Sequence, residues 1–463
     1  MAEGRAAPRR RTSTATSAFG VSRRESHDAS DFYARFAAPE LSDDDEIAAE
    51  RAIDTIFRGD SRAMDQVPDA SVALVVTSPP YFAGKEYEEA LGEGHVPGTY
   101  LDYLTMLRDV FAECARTLEP GGRIAVNVAN LGRRPYRSLS SDVIAILQDD
   151  LHLLLRGEVI WQKARGSAGS CAWGSFQKPT NPVLRDLTER VVIASKGRFD
   201  RAVPAKERAR RGLPSGTSLT RDEFMEATTD VWEIPSEMAR RVGHPAPFPV
   251  ELPVRLIHLY TYPGDLVLDP FMGSGTSAVA AIRTGRHFVG YDTDPGYVER
   301  AQERAALEIE KYEREAPKRD EIGDPARPTA REVAAGMLAD AGFGQVERYP
   351  RLPAGLDVSL SARDRSGARW YFDVAGGFTS SRPGLKRADT LWKAIGKAAV
   401  LHAIEPDARL VVLTTETPAS QSSSRQALTA VTGPEQPVAA VVDLGAPDAA
   451  ERLVGLAAGE PTS

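Results

Sequence analysis

The run Asp265-Leu-Val-Leu-Asp269-Pro-Phe-Met-Gly273-Ser-Gly275-Thr276 constrains this chain more than any other segment. A short apolar strand ends in an acid, a Gly-x-Gly turn follows, and Ser277–Thr284 reads as a helix that Gly285 terminates. Glycines let a ligand come close to the backbone, and the free N–H groups of a helix start favour polar or anionic groups. A second strand, His287–Tyr291, then presents Asp292, 23 residues after Asp269. That is near the spacing of an acid that binds ribose hydroxyls, so the unit reads as a site for a nucleoside-type cofactor. The turn is not Gly-x-Gly-x-x-Gly, and a dinucleotide pyrophosphate is not specifically indicated.

The surrounding pattern is α/β. Between about residues 50 and 311, strand-like runs (Ser71–Thr77, Ile124–Asn130, Glu158–Gln162, Val191–Ser195, Asp265–Asp269, His287–Tyr291) alternate with helical stretches such as Tyr100–Leu118. That alternation predicts a mostly parallel, Rossmann-like sheet with helices on both faces. Residues 1–36 read as a disordered arm, and the acidic cluster Glu40 to Glu46 as the opening turn of a helix. Residues 312–330 are charged and contain proline, which suggests a linker to a smaller α/β or α+β unit over 331–463.

With only Cys114 and Cys171, the chain has no disulfide framework and no cysteine cluster for zinc; no metal site is expected. No apolar run approaches a membrane span, the first twenty residues hold no apolar signal segment, and a reducing cytoplasm is the expected location. The net charge of −8 excludes a uniformly basic coat but not a local basic face.

A second motif, Ser78-Pro79-Pro80-Tyr81, stands at the end of the Ser71–Thr77 strand. Two prolines remove two backbone donors, so the strand end is rich in acceptors, and Tyr81 adds a flat ring. Such a site suits an exocyclic amino group on a stacked base; a plain Pro-Pro turn is the alternative.

Together these two motifs resemble those of the amino-methylating DNA methyltransferases, which modify cytosine N4 or adenine N6. Ser78-Pro79-Pro80-Tyr81 is similar to the family's catalytic motif, and Phe271-Met-Gly273-Ser-Gly275 to its S-adenosylmethionine motif. The catalytic motif comes first, as in the permuted β-class order, and the resemblance covers about residues 50–310. Gly59-Asp60-Ser61, His244-Pro245-Ala-Pro247 and Asn181–Lys196 are supporting matches. The resemblance implies a base flipped from double-stranded DNA, stacked by Tyr81, held by Ser78 and the Pro79–Pro80 backbone, and methylated without a covalent enzyme intermediate. Neither cysteine lies in a Pro-Cys context, so cytosine C5 chemistry is disfavoured.

The same resemblance assigns the cofactor to the loop Asp269, Pro270, Phe271, Gly273, Ser274, Gly275 and Thr276, with Asp292 on the ribose. Asp60 either touches the cofactor's adenine or caps a turn, and His244 either lines the methionine pocket or is structural. Serine at the first position of the catalytic motif favours cytosine N4, with adenine N6 as the alternative. A restriction-modification or phage-defence role follows, with a cognate restriction or defence protein as partner.

For DNA contact the sequence offers residues 196–211, with seven basic and two acidic side chains. Lys196, Arg198, Arg208, Arg210 and Arg211 lie there, within an expected recognition region of about 165–245. Arg133 and Arg134, with Arg137 beside them, form a second patch. A solvated basic face is the alternative for both. Residues 331–445 resemble the restriction-endonuclease-like fold, whose site has two acids and a lysine two residues after the second. Here Asp357 and Asp373 supply acids, but Ala375 occupies the lysine place. A migrated lysine such as Lys386 or Lys393 would restore a bifunctional methyltransferase–nuclease; an inactive module for DNA contact or docking is the expectation. A non-catalytic DNA-binding protein on the same scaffold is the remaining alternative.

Overall fold

The computed structural model describes residues 41–48, 53–80, 99–130, 136–163, 174–184, 187–219, 221–235, 248–319, 329–352, 355–377 and 384–459. Tyr81, Arg133, Arg134, Cys171, His244 and the N-terminal arm lie outside them.

Eight strands form the first sheet: β1 (Thr55–Arg58), β2 (Val72–Thr77), β3 (Leu118–Val128), β4 (Leu154–Gln162), β5 (Thr188–Ser195), β6 (Val231–Glu233), β7 (Leu266–Asp269) and β8 (His287–Asp292). Their order is β1-β8-β7-β2-β3-β5-β4-β6. The five strands from β1 to β3 in that order run parallel, whereas β5 is antiparallel to both β3 and β4. The expectation of a Rossmann-like α/β sheet holds, and the sheet is mixed at its β3–β6 side. Every residue of β2 is buried, because helices cover both faces and leave no solvent side for polar alternation.

On one face lies α1 (Tyr100–Thr117), capped by Thr99, whose hydroxyl accepts from the Asp102 N–H. Its buried stripe of Tyr103, Leu107, Val110, Phe111 and Cys114 packs with α2 (Leu139–Ala145), which a π-helical turn, Ile146–Asp150, continues. On the other face lie α5 (Glu251–Tyr260), α6 (Thr276–Arg283) and α7 (Pro295–Arg319), with α3 (Ala205–Arg210) and α4 (Arg221–Ala227) between the two halves in sequence.

Three expectations are corrected. Residues 41–48 form no helix; their acids meet the basic run instead. The helix α7 continues to Arg319, through the first part of the expected linker. The strand expected from Ile124 begins earlier, because β3 starts at Leu118 and includes Pro120-Gly121-Gly122. Gly121 stands at φ +77, and a Cβ there would lie 1.9 Å from the Asp200 carbonyl oxygen, so only glycine fits.

The second sheet has the order β13-β12-β11-β10-β9. Its strands are β9 (Gly344–Arg348), β10 (Leu360–Arg363), β11 (Arg369–Ala375), β12 (Arg409–Thr414) and β13 (Ala440–Asp443). A capping box of Thr329 and Glu332 starts α8 (Ala330–Asp340). The longer α9 (Ala388–Ile404) connects β11 to β12, which run parallel, and α10 (Ser423–Ala430) and α11 (Ala449–Ala458) follow. No described helix is long and apolar enough to cross a membrane.

Candidate active site

The parallel strands bring both sequence motifs to one edge of the first sheet. In register, Val75 pairs with Leu268 and Asp269 with Gly290, so Thr77, Asp269 and Asp292 end neighbouring strands. Ligands of such sheets bind outside the carboxyl ends of the strands, where these residues stand.

Asp269 is buried and joins the motifs. Its Oδ1 accepts from the Thr77 hydroxyl at 2.6 Å and from the Phe271 N–H at 3.1 Å. Its Oδ2 accepts from the Ser277 hydroxyl at 2.6 Å. Burial pushes this carboxyl up from 3.8 to about 6, against the pull of those hydroxyl and N–H donors. Thr77 and Ser277 escaped sequence reasoning; the only signal was their place beside the two motifs.

Asp292 is half-buried. Its Oδ2 accepts from the Gly273 N–H at 2.8 Å and its Oδ1 from the Asp294 N–H at 2.9 Å. Each oxygen keeps a further lone pair for a ligand hydroxyl. Burial raises this carboxyl as well. Asp60 follows β1, whose last residue Arg58 pairs with Asp292, and the Gly59 N–H donates to the Asp292 carbonyl at 3.0 Å. Asp60 also accepts from the Arg62 N–H at 2.9 Å, so the turn-capping role is present and the residue still lies at the Asp292 edge.

The loop between β7 and α6 divides its residues. Gly273 (φ +52) is half-exposed beside Asp292. Gly275 (φ +84) is buried, and a Cβ there would lie 3.1 Å from Ala301. Gly275 therefore admits the close approach of α7. Ser274 and Thr276 are buried too, and Arg304 of α7 donates to the Ser274 carbonyl at 3.1 Å and the Thr276 hydroxyl at 3.2 Å. Their polar groups face Arg304 of α7. Pro270 is buried and Phe271 half-buried against the α1 face.

In the motif that follows β2, Ser78 is half-buried, Pro79 buried and Pro80 exposed. The Tyr103 hydroxyl of α1 donates to the Pro80 carbonyl at 2.8 Å, fixing the exit from β2. Nearby on β3 to β5, Asn127 donates to Glu189 Oε2 at 2.6 Å and Lys163 to Glu189 Oε1 at 3.0 Å.

The basic run lies at the opposite edge of the sheet, where Lys196, Arg208 and Arg211 are held by protein partners. The Lys196 ammonium donates to the Arg116 and Leu118 carbonyls at 3.1 and 2.7 Å. Arg208 is 0% exposed and lies between Glu119 and Asp265, at 3.2 and 2.7 Å. Arg211 pairs with Asp45 at 2.9 Å, and Arg198 reaches the Asp44 carbonyl at 3.4 Å. Arg210 is exposed but pairs with Glu207. These cations clamp loops at the amino ends of the parallel strands. Arg137, beside the second patch, pairs with Asp142. Cys114 is fully buried, and burial raises its thiol well above the ordinary range.

No cation pairs with Asp269 or Asp292 among the described residues. Two uncompensated carboxylates at adjoining strand ends suit a ligand with hydroxyl donors and positive charge, and the donor set fits S-adenosylmethionine.

The fold and this edge define a nucleotide-site α/β enzyme. A family described as DNA methylase, the N6/N4 methyltransferases, matches residues 72–303, from the start of β2 into α7. This chain belongs to that family, and is a DNA methyltransferase of the amino-methylating kind. It is 29% identical over 271 residues to the type II methyltransferase M.MjaI of Methanocaldococcus jannaschii, covering 52% of this chain and 86% of that one. It is 28% identical over 301 residues to M.BglI of Bacillus subtilis, covering 53% and 83%. A solved structure from Thermus thermophilus, described as a DNA modification methylase complexed with S-adenosyl-L-methionine, is 28% identical, with 56% and 96% covered and a TM-score of 0.42.

Proposed function

We propose that this chain carries a methyl group from S-adenosylmethionine to the N4 amino group of a cytosine flipped out of double-stranded DNA. It acts in the cytoplasm as the modification arm of a restriction-modification or phage-defence system, beside a cognate restriction or defence protein. The observation that carries the reading is the single carboxylate, Asp269, to which the end of the Ser78-Pro79-Pro80 strand and the start of the Gly273 loop are both tied. That tie fixes where the base meets the cofactor, and positioning dominates a direct group transfer.

S-adenosylmethionine supplies an electrophilic methyl group on a sulfonium. Asp292 accepts from the ribose hydroxyls, the open Gly273 backbone borders the same ligand, and Asp269 provides negative potential at the strand end. Asp60 borders the adenine, Phe271 packs beside the cofactor, and Gly275, Ser274 and Thr276 hold the loop against α7. The Ser78 hydroxyl and the Pro79 carbonyl accept from the amino group of the base, which aims its nitrogen lone pair at the methyl carbon. Tyr103 holds the Pro80 carbonyl, and Tyr81 is the stacking ring assigned from sequence. Serine at position 78 supports cytosine N4 over adenine N6.

The test is methylome sequencing of DNA from cells expressing the chain against a vector control. A new N4-methylcytosine in one sequence context is the expected result. N6-methyladenine instead would overturn the base choice, and no new mark would overturn the activity. Ser78→Ala lowers methyl transfer while S-adenosylmethionine binding, read by calorimetry, persists.

A further inference from the structure

The antiparallel pair β4–β5 rises above the sheet edge that carries Ser78 and Asp269. β4 runs the same way as β3, since β5 is antiparallel to both. Thr77, at the end of β2, is level with Val126, Val126 with Val192, and Val192 with Glu158. β4 continues four residues further, to Gln162, which pairs with Thr188. At about 3.3 Å per residue, Gln162 stands about 13 Å beyond the level of Thr77. Three strand spacings, β2 to β3 to β5 to β4, place it about 14 Å to the side. The Lys163 N–H donates to the Leu187 carbonyl at 2.9 Å and closes the pair. Leu184 precedes Leu187 by three residues and lies within about 11 Å of it. The loop 174–184 is thus tethered to the tip of β4–β5, on the edge where base and cofactor meet.

This loop is closed by its own residues. Gly174 bridges Pro182, and the Ser175 N–H donates to the Asn181 carbonyl at 2.9 Å. The Asn181 N–H donates to the Ser175 hydroxyl at 2.8 Å, and that hydroxyl donates to the Lys178 carbonyl at 2.7 Å. Gly174 stands at φ +63, and a Cβ there would lie 2.1 Å from the Asn181 carbonyl oxygen, so glycine is required for the closure. Gln177 holds φ +55, a left-handed conformation uncommon for a side chain of its length. Residues 176–184 are all exposed, Phe176 by 60%. Gln177 and Lys178 present an amide and an ammonium, and no acid occurs in 174–184 although the chain carries a net charge of −8. A frame closed in advance lowers the entropic cost of offering these groups to a ligand.

We propose that loop 174–184 reads DNA sequence beside the flipped base, with Gln177 and Lys178 as the side chains that contact base edges in the major groove. The inference rests on the reading of this chain as a methyltransferase that draws one base of duplex DNA into the Ser78 site. With that base at the strand ends, the flanking duplex passes the tip of β4–β5. The major groove is about 12 Å wide and about 8.5 Å deep, which admits a two-stranded turn. The Gln177 amide matches N6 and N7 of adenine, and the Lys178 ammonium matches O6 and N7 of guanine. Phe176 packs on a thymine methyl group at the same place. Lys196, Arg208 and Arg211 are engaged with protein groups at the other edge, and this loop brings a cation and an amide to the edge the base enters.

The full chain is used to select duplexes from a random-sequence library, the bound DNA is sequenced, and the methylome of expressing cells is read in parallel. The parent enriches one sequence. Gln177→Ala and Lys178→Ala each lose the preference at one base pair of it, by about 10-fold or more, while the remaining positions keep theirs. Methyl marks from the two variants fall in the correspondingly relaxed context on the same base. A parent with no enriched sequence, or identical profiles in parent and both variants, would overturn the proposal. So would a loss of affinity uniform across sequences, the mark of phosphate contact alone. A parent whose enriched sequence is relaxed in the variants but which leaves no methyl mark would overturn the methyl-transfer reading and not the role of the loop.

Discussion

The Thr77 hydroxyl donates to Asp269 Oδ1 at 2.6 Å, across 192 residues of sequence. Both groups are buried, and Ser277 holds the second carboxylate oxygen. Beyond the last backbone pair of β2 and β7, Val75 with Leu268, this hydrogen bond ties the residue before Ser78 to the strand that precedes the Gly273 loop.

Thr77→Val removes this bond and keeps the shape of the strand. The buried Asp269 loses a donor, at a cost of about 1–3 kcal/mol of folding stability. The maximal rate of methyl transfer falls more than the Michaelis constant for either substrate rises, because position is lost rather than binding contact. Thr77→Ser retains the hydroxyl and recovers most of the rate. Steady-state kinetics on the two variants check this, and equal rates in both would contradict it.

Asp269 also gives a pH signature. Its folded-state value is raised from 3.8 to about 6 by burial, so the folded state binds this proton more tightly than the unfolded chain. The stability it contributes is full below about pH 4, falls as pH rises through about 6, and is constant above. Asp269→Asn removes that fall. The difference between the two stability-versus-pH curves, from urea unfolding, declines by about 3 kcal/mol across the window.

Gly275→Ala places a Cβ in a left-handed conformation and within 3.1 Å of Ala301. The conformational penalty alone is about 1 kcal/mol, and the contact displaces α7 from the loop. Thermal unfolding shifts downward and S-adenosylmethionine affinity weakens with it. Unchanged melting and unchanged affinity would show that α7 does not need this approach.

Arg208→Met leaves Glu119 and Asp265 buried with one fewer cation between them. Destabilisation of about 3–5 kcal/mol is expected, the cost of breaking a buried pair from one side. Arg210→Ala, on the exposed side of the same helix, leaves DNA affinity and its salt dependence within about twofold of the parent. Filter binding over a salt series checks this second outcome. A reduced salt slope in Arg210→Ala would return the basic run to the DNA interface.

The strands, the glycine turn and the two motifs were legible in the order of residues, because they follow from local periodicity and from backbone conformations that few residues adopt. The apolar run of β2 and the Asp265–Thr276 unit are local statements, and the structure has both. Where each segment stands was settled only by packing. The antiparallel course of β5 delivers Lys196–Arg211 to the amino ends of the parallel strands, away from Ser78, and strand direction is set by pairing partners distant in sequence. Packing also settled that Gly275 faces α7, and it seated Lys397 of α9 between two aspartates that no spacing rule connected to it. Charge and composition are properties of a segment. Whether a charged segment meets DNA, another loop or a carboxylate depends on the long-range contacts that place it.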